Sequence, residues 1–201
     1  MKRPSAGKLV TAAVVAAVAA VAIVLGVLAP GVREAARRDT CRRTLRSLGL
    51  ACHMYADDAG EEFPSLWQQL RPMYCDNAKL FSCPSCPSSW LDFAHGSVTE
   101  RSSSYVLMPG LSAYMPRAFI LIWEKPGNPG RSGVHVVRLD VWVEWWPGER
   151  EAELQTFVGL QSQAVAKWRS SGKPVKDIGE FIGPELRAML EAAVPPPPES
   201  R

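Results

Sequence analysis

Residues 41–60 read CRRTLRSLGLACHMYADDAG, and apolar side chains recur along this stretch at steps of four and three residues. The recurring positions are Cys41, Leu45, Leu48, Cys52 and Tyr55. This period predicts an amphipathic helix that packs one face against the rest of the fold. Gly60 suits the left-handed conformation in which many helices end. We therefore predict a stem helix over residues 31–60.

The arginines of this segment lie off the apolar stripe. They are Arg37, Arg38, Arg42, Arg43 and Arg46. Glu34 and Asp39 are close enough along a helix to pair with some of them. We interpret the arginines as the solvated face of the stem helix.

An apolar run of 20 residues, Leu9 to Leu28, precedes the stem. A helix of about 20 apolar residues crosses a bilayer core of roughly 30 Å. We therefore predict that residues 1–30 form a single-pass membrane anchor. The alternative is a cleavable signal peptide, which the basic start at Lys2 and Arg3 would suit. Such peptides have a shorter apolar core and a small-x-small cleavage site, and neither is present here.

The remaining sequence predicts one α+β domain. The net charge of +3 is too small to indicate a nucleic-acid partner. Residues 105–108 and the apolar run 118–123 are typical of strands, and apolar and polar residues alternate over 137–145. Because β-branched Val141 is poor at positive φ, we predict one long strand there and not a turn. The expected fold is a long N-terminal helix on a small antiparallel sheet.

The domain boundaries follow from these elements. The globular domain is predicted over residues 61–148, with a short helix from Ser65 to Leu70 in which Ser65 is the N-cap and Gln68 its capping-box partner. A C-terminal helical segment is predicted over residues 149–194, with helices at 149–168 and 184–193. The proline-rich tail, residues 195–201, is predicted to be disordered.

Several segments occur in the same order as in one bacterial family. They are RRDTCRRTLRSLGLA (37–51), MYADDAGEEFP (54–64), LFSCPS (80–85), SSY (103–105), IWEKPGN (122–128) and GVHVVRLD (133–140). Together they resemble the type II secretion pseudopilin-like proteins with an H-x9-D-G C-terminal motif that are abundant in planctomycete-type bacteria. The resemblance covers roughly residues 9–146.

The resemblance implies a pilin-like fold with the N-terminus in the cytoplasm and the globular domain outside it. It implies a structural or interaction role in type II secretion or type IV pilus-like assemblies, with pilin-like subunits or secretion components as partners. The arginines that follow Leu28 favour the opposite orientation by the positive-inside rule, so a cytoplasmic-facing domain stays open.

The sequence departs from that family at two motifs. Gly7 is followed by Lys8 and Leu9, without the aromatic residue and glutamate of a prepilin peptidase site. The chain is therefore expected to keep its N-terminus uncleaved. The first histidine of the C-terminal motif is replaced by Pro129, and of its D-G-H only Asp140 remains.

The five cysteines are the strongest chemical signal, and all are candidates for disulfides: Cys41, Cys52, Cys75, Cys83 and Cys86. Cys41 and Cys52 cannot bond each other, because eleven residues of helix separate them by about 16 Å. In an oxidising compartment we expect Cys83 or Cys86 to bridge to a stem cysteine or to Cys75, leaving one thiol over.

Three alternatives remain for these thiols. The first is a zinc site formed by Cys75, Cys83, Cys86 and His95, because the Cys83-x-x-Cys86 spacing suits tetrahedral zinc. The second is a redox C-x-x-C motif, which lacks the usual βαβ context here. The third is a set of buried thiols without bonds.

No catalytic motif is visible, and we expect neither catalysis nor a cofactor. His53 and His135 are interpreted as packing residues. Asp57 and Asp58 are interpreted as turn formers, because no loop of alternating oxygen ligands follows them. The tryptophans Trp142, Trp145 and Trp146 are interpreted as core and rim residues, with a partner-binding aromatic surface as the alternative.

Overall fold

The computed structural model describes residues 6–83, 98–99, 102–125 and 133–193, and side chains between residues 6 and 30 only at Val18 and Gly26. It is an α+β structure with one long helix and a four-stranded antiparallel sheet. The predicted tail, residues 195–201, lies outside the described residues. The chain divides into two compact units, Met1–Thr40 and Cys41–Arg201.

The first helix, α1, runs from Ala6 to Asp58 without interruption at Pro30. It ends as predicted, with Gly60 at a φ of 69°. In the part of the chain that the structure describes, no helix has both the length and the apolar character that crossing a membrane requires. Most side chains of the predicted anchor, Leu9 to Leu28, lie outside that part, so the anchor stays a prediction.

The predicted stripe of the stem helix is buried. Cys41, Leu45, Leu48 and Cys52 have no exposed surface, and Tyr55 is half-buried at the end of the stripe. Of the arginines off the stripe, only Arg38 is partly buried, and its Nε donates to Glu34 at 3.1 Å. The helical period therefore identified the packed face correctly.

The sheet is a meander in which each strand pairs with the next along the chain. Its strands are β1 (Tyr105–Leu107), β2 (Ile120–Glu124), β3 (Gly133–Arg138) and β4 (Val143–Pro147). Every neighbouring pair is antiparallel. All residues of β2 and β3 are buried, which indicates that these two central strands are covered on both faces.

The stem covers one face of the sheet. A Cβ added at Gly49 would lie 3.1 Å from Cγ1 of Val137 and 3.3 Å from Cγ1 of Val141. Glycine therefore allows the helix to approach the sheet closely at this point. His53, one turn further on, donates from Nε2 to the carbonyl of Leu139 at 2.7 Å.

The C-terminal helices α2 (Glu151–Ser171) and α3 (Pro184–Ala193) cover the other face. Trp146 of β4 packs edge-on against Phe157 of α2. Fully buried Gln161 accepts from the backbone N–H of Ile120 and donates to the carbonyl of the same residue, both at 2.8 Å. It satisfies the two backbone groups beside the irregularity in the β2–β3 register.

The predicted long strand over residues 137–145 is wrong, because the chain turns between β3 and β4. Val141 adopts a φ of 60°, the conformation that a β-branched residue disfavours. Asp140 compensates by accepting from the backbone N–H of Trp142 at 3.1 Å and from the guanidinium of Arg138 at 3.0 Å. Local hydrogen bonds and stem packing thus outweigh the intrinsic preference of valine.

The prediction that Gln68 caps the short helix after Ser65 is also wrong. The helix is a 3₁₀ turn, Trp67–Leu70. The side chain of Gln69, not Gln68, accepts from the backbone N–H groups of Ser65 and Leu66. A 3₁₀ turn starting later than predicted shifts the capping position by one residue.

Replacing Leu48 by Ala should lower the free energy of unfolding by about 2–5 kcal/mol, because a fully buried leucine leaves a cavity between stem and sheet. The matched control is Arg46→Ala on the exposed face, which should change the free energy of unfolding by no more than about 0.5 kcal/mol. Chemical denaturation followed by tryptophan fluorescence measures both. Equal losses would show that the stripe does not carry the packing.

Replacing Val141 by Gly should cost less stability than replacing Val143 by Gly. Both changes delete a half-buried valine side chain. Only at residue 141 does the backbone have a left-handed conformation, which costs an L-residue roughly 1–2 kcal/mol and which glycine adopts without that cost. We expect the two unfolding free energies to differ by about that amount. A Val141→Gly loss as large as that of Val143→Gly would contradict strain at the turn.

Candidate functional site

Helix α1 brings two cysteines to the sheet, and a loop cysteine meets the first of them. The sulfur atoms of Cys41 and Cys83 are 3.9 Å apart, and both residues are fully buried. Cys83 follows a 3₁₀ turn, Ala78–Phe81, whose Phe81 packs edge-on against Trp67. Apolar packing thus holds the turn before Cys83, and Cys83 contacts a stem cysteine without a disulfide between them.

A buried carboxyl group and a buried imidazole lie beside these thiols. Glu124, at the end of β2, has a relative exposure of 0 %, and His135 of β3 has 3 %. The backbone N–H of His135 donates to Oε2 of Glu124 at 2.9 Å, and the ring Nδ1 donates to the same oxygen at 3.2 Å. The indole of Trp145 packs edge-on against the imidazole at 4.8 Å between ring centres. These contacts fix the carboxylate in one orientation.

The two features form one cluster. The sulfurs of Cys41 and Cys83 and a carboxylate oxygen of Glu124 all lie within 4.8 Å of one another. They come from α1, from the loop after Phe81 and from β2, so the fold alone brings them together. Two thiols and a carboxylate are suitable ligands for a soft divalent metal ion.

The predicted zinc set, Cys75, Cys83, Cys86 and His95, lies only partly within the described residues, so it stays a prediction. Cys86 and His95 lie outside the described residues, and Cys83 pairs with Cys41. Glu124 was absent from the sequence-based candidates, although a glutamate closing the apolar run Phe119–Trp123 was a usable signal, since a buried charge needs a partner. His135 is buried as expected, with Glu124 as its specific partner.

Cys52 and Cys75 form a second thiol neighbourhood further along the stem. Burial raises the pKa of the Cys52 thiol well above its usual range, and the nearby Cys75 adds to the rise. The pKa of Cys75 is also raised, mainly by burial, although a backbone contact with Asn77 acts against it. Both thiols therefore stay protonated at neutral pH, which disfavours nucleophilic chemistry there.

None of the four described cysteines is in a disulfide. Cys86, the fifth, lies outside the described residues. Disulfide formation in an oxidising compartment stays a prediction.

The remaining candidates have structural roles. The ring of His53 packs edge-on against Phe63 at 4.9 Å, which agrees with the packing interpretation. Asp58 accepts a hydrogen bond from the hydroxyl of Tyr74 at 2.8 Å. Of the three tryptophans, Trp146 is buried and Trp145 is half-buried, whereas Trp142 is 55 % exposed.

Exposed Trp142 borders a cleft of about 280 Å³ between the stem and the β3–β4 turn. The cleft also contains the arginines Arg42, Arg43 and Arg46 of the stem and the half-exposed side chain of Leu50. This lining combines the three arginines and Asp140 with apolar surface.

Residues 31–92 match a protein family, SBP_bac_10, whose description is "Protein of unknown function (DUF1559)". The matched segment is less than half of the chain and contains the whole predicted stem, residues 31–60, and all five cysteines. No curated protein and no solved structure matches the chain.

The raised pKa of Cys52 predicts a loss of stability at alkaline pH. The thiol contributes stability below its unfolded pKa of about 8.5, and this contribution falls as the pH rises, because only the unfolded chain then releases the proton. Above that pH the unfolding free energy should fall more steeply for the reduced protein than for Cys52→Ala, by up to about 1.4 kcal/mol per pH unit. Denaturation curves at a series of pH values test this, and parallel slopes would contradict it.

Proposed function

We propose that this chain is a membrane-tethered, pilin-like protein with a structural or interaction role and no catalytic activity of its own. The observation that carries the proposal is that α1 contains two different apolar segments. One unbroken helix, Ala6–Asp58, contains the apolar run of the predicted anchor and also the buried stripe that organises the sheet. The order of elements, a long N-terminal helix followed by an antiparallel meander, agrees with the pilin-like resemblance.

The tether that we propose is the segment Leu9 to Leu28. Its composition is apolar throughout apart from Thr11, and its length suits a bilayer core. The match of residues 31–92 to a family of unknown function supports a shared stem and loop, and it leaves the activity open. The pilin-like assignment rests on the sequence resemblance and on the arrangement of the elements.

The non-catalytic role is supported by the way the titratable groups are placed. Glu124 and His135, the pair best suited to acid–base chemistry, are enclosed between the stem and the sheet. The thiols of Cys52 and Cys75 have raised pKa values and are not activated nucleophiles. The exposed cleft beside Trp142 is instead suited to protein contact, and the partners we propose are pilin-like subunits or secretion components.

We propose that the N-terminus is retained and lies in the cytoplasm, with the globular unit Cys41–Arg201 outside. Gly7 is not followed by the residues of a prepilin peptidase site. N-terminal sequencing of protein isolated from membranes should therefore not begin at Lys8. Digestion by an external protease should remove the globular unit from spheroplasts. Protection of that unit would support the cytoplasmic orientation that the stem arginines favour.

The tether is tested by charged substitutions in the full-length chain. Val18→Arg combined with Val21→Arg should release the protein from carbonate-washed membranes, because each central arginine costs about 2.5–3.5 kcal/mol on insertion. The matched control, Val32→Arg with Ala36→Arg, adds the same charge at exposed positions outside the run and should remain in the membrane pellet. Extraction of the unmodified protein by carbonate would contradict the proposal.

A further inference from the structure

We propose that Cys41, Cys83 and Glu124 bind one zinc ion through two thiolate sulfurs and one carboxylate oxygen. The site joins α1, the loop after Phe81 and strand β2. It is independent of the membrane role proposed above, because all three ligands belong to the unit Cys41–Arg201. It differs from the zinc set expected from the cysteine spacing by including Cys41 and Glu124.

The distance between the two sulfurs fits the ion. With zinc–sulfur bonds of about 2.3 Å, tetrahedral geometry places two sulfurs roughly 3.8 Å apart. The observed separation is 3.9 Å, whereas a disulfide would need about 2.05 Å. The carboxylate oxygen lies within 4.8 Å of both sulfurs, so it needs to approach by no more than about 1.2 Å to complete a zinc–oxygen bond.

The charges of the cluster support a cation at its centre. A carboxylate that is fully buried, as Glu124 is, requires compensation. Zinc binding displaces the protons of the two thiols, so two thiolates and one carboxylate face a dication.

His135 acts as a positioning residue for the carboxylate. Its backbone N–H and its ring Nδ1 both bond the same oxygen, which fixes the plane of the Glu124 carboxylate relative to the sulfurs. Outer hydrogen bonds of this kind hold ligands in place and raise metal affinity. The edge-on contact of Trp145 with the imidazole holds the ring itself.

The ligand set selects the type of metal. Thiolates favour soft or borderline ions, so zinc is expected over calcium or magnesium, which prefer oxygen ligands. The three ligands among the described residues are one fewer than the four of a tetrahedral zinc site. Because the ion would bind only where the fold unites the three elements, it would stabilise the native state.

The test uses the full-length chain in detergent, reduced, stripped with a chelator and titrated with Zn²⁺ or Co²⁺. We expect one ion per chain by elemental analysis and a rise in melting temperature on zinc addition. We also expect cobalt absorption bands typical of tetrahedral coordination with thiolate-to-cobalt charge transfer. Absence of these bands from the unmodified protein would overturn the proposal without recourse to any variant.

The variants assign the ligands. Cys41→Ser and Cys83→Ser should abolish stoichiometric binding, and His135→Ala should weaken zinc binding by about 10–100-fold. Cys52→Ser is the matched control, because Cys52 is another fully buried thiol of the same helix, and it should bind zinc normally. Unchanged binding in Cys41→Ser, or an equal loss in Cys52→Ser, would overturn the assignment. So would a Cys41–Cys83 disulfide in protein isolated without reductant.

Discussion

The burial of one apolar stripe of α1 against the sheet is the contact on which the rest of the globular unit depends. Leu45 and Leu48 are fully buried, and each such side chain contributes roughly 1.5–3 kcal/mol by leaving water. The same packing sets the rotation of the helix. That rotation directs Cys41 towards Cys83 and brings Gly49 against Val137. A helix turned by one residue would place arginine side chains in this interface.

The sequence was sufficient for features that depend on local periodicity. The stem stripe was predictable because a period near 3.6 residues marks the buried face of a helix whatever it packs against. A stem cysteine was among the partners considered for Cys83, and the structure places the sulfur of Cys41 3.9 Å from that of Cys83. The apolar run at residues 118–123 was also recognisable as a central strand, now observed as β2 (Ile120–Glu124).

Features that depend on contacts between distant residues were not predictable. The turn at Val141 contradicts the local preference of valine. It is stabilised by hydrogen bonds to Asp140, which the conformational preferences of single residues do not describe. The partnership of Glu124 with His135 depends on strand register, which a single sequence does not fix. The zinc ligands proposed here come from three elements, so spacing along the chain led to a different set.

The hydrogen bonds between Gln161 and the backbone of Ile120 link a central strand to a helix that is synthesised after it. The backbone N–H and carbonyl of Ile120 bond its side chain, which emerges from the ribosome 41 residues later. Until α2 has been translated, the sheet keeps one apolar face open and two polar backbone groups of a central strand without their final partner. The stem and the meander alone therefore lack the cover that the C-terminal helices give to the second face of the sheet. A truncated chain that ends before α2 would leave the apolar face of the sheet accessible to chaperones and proteases.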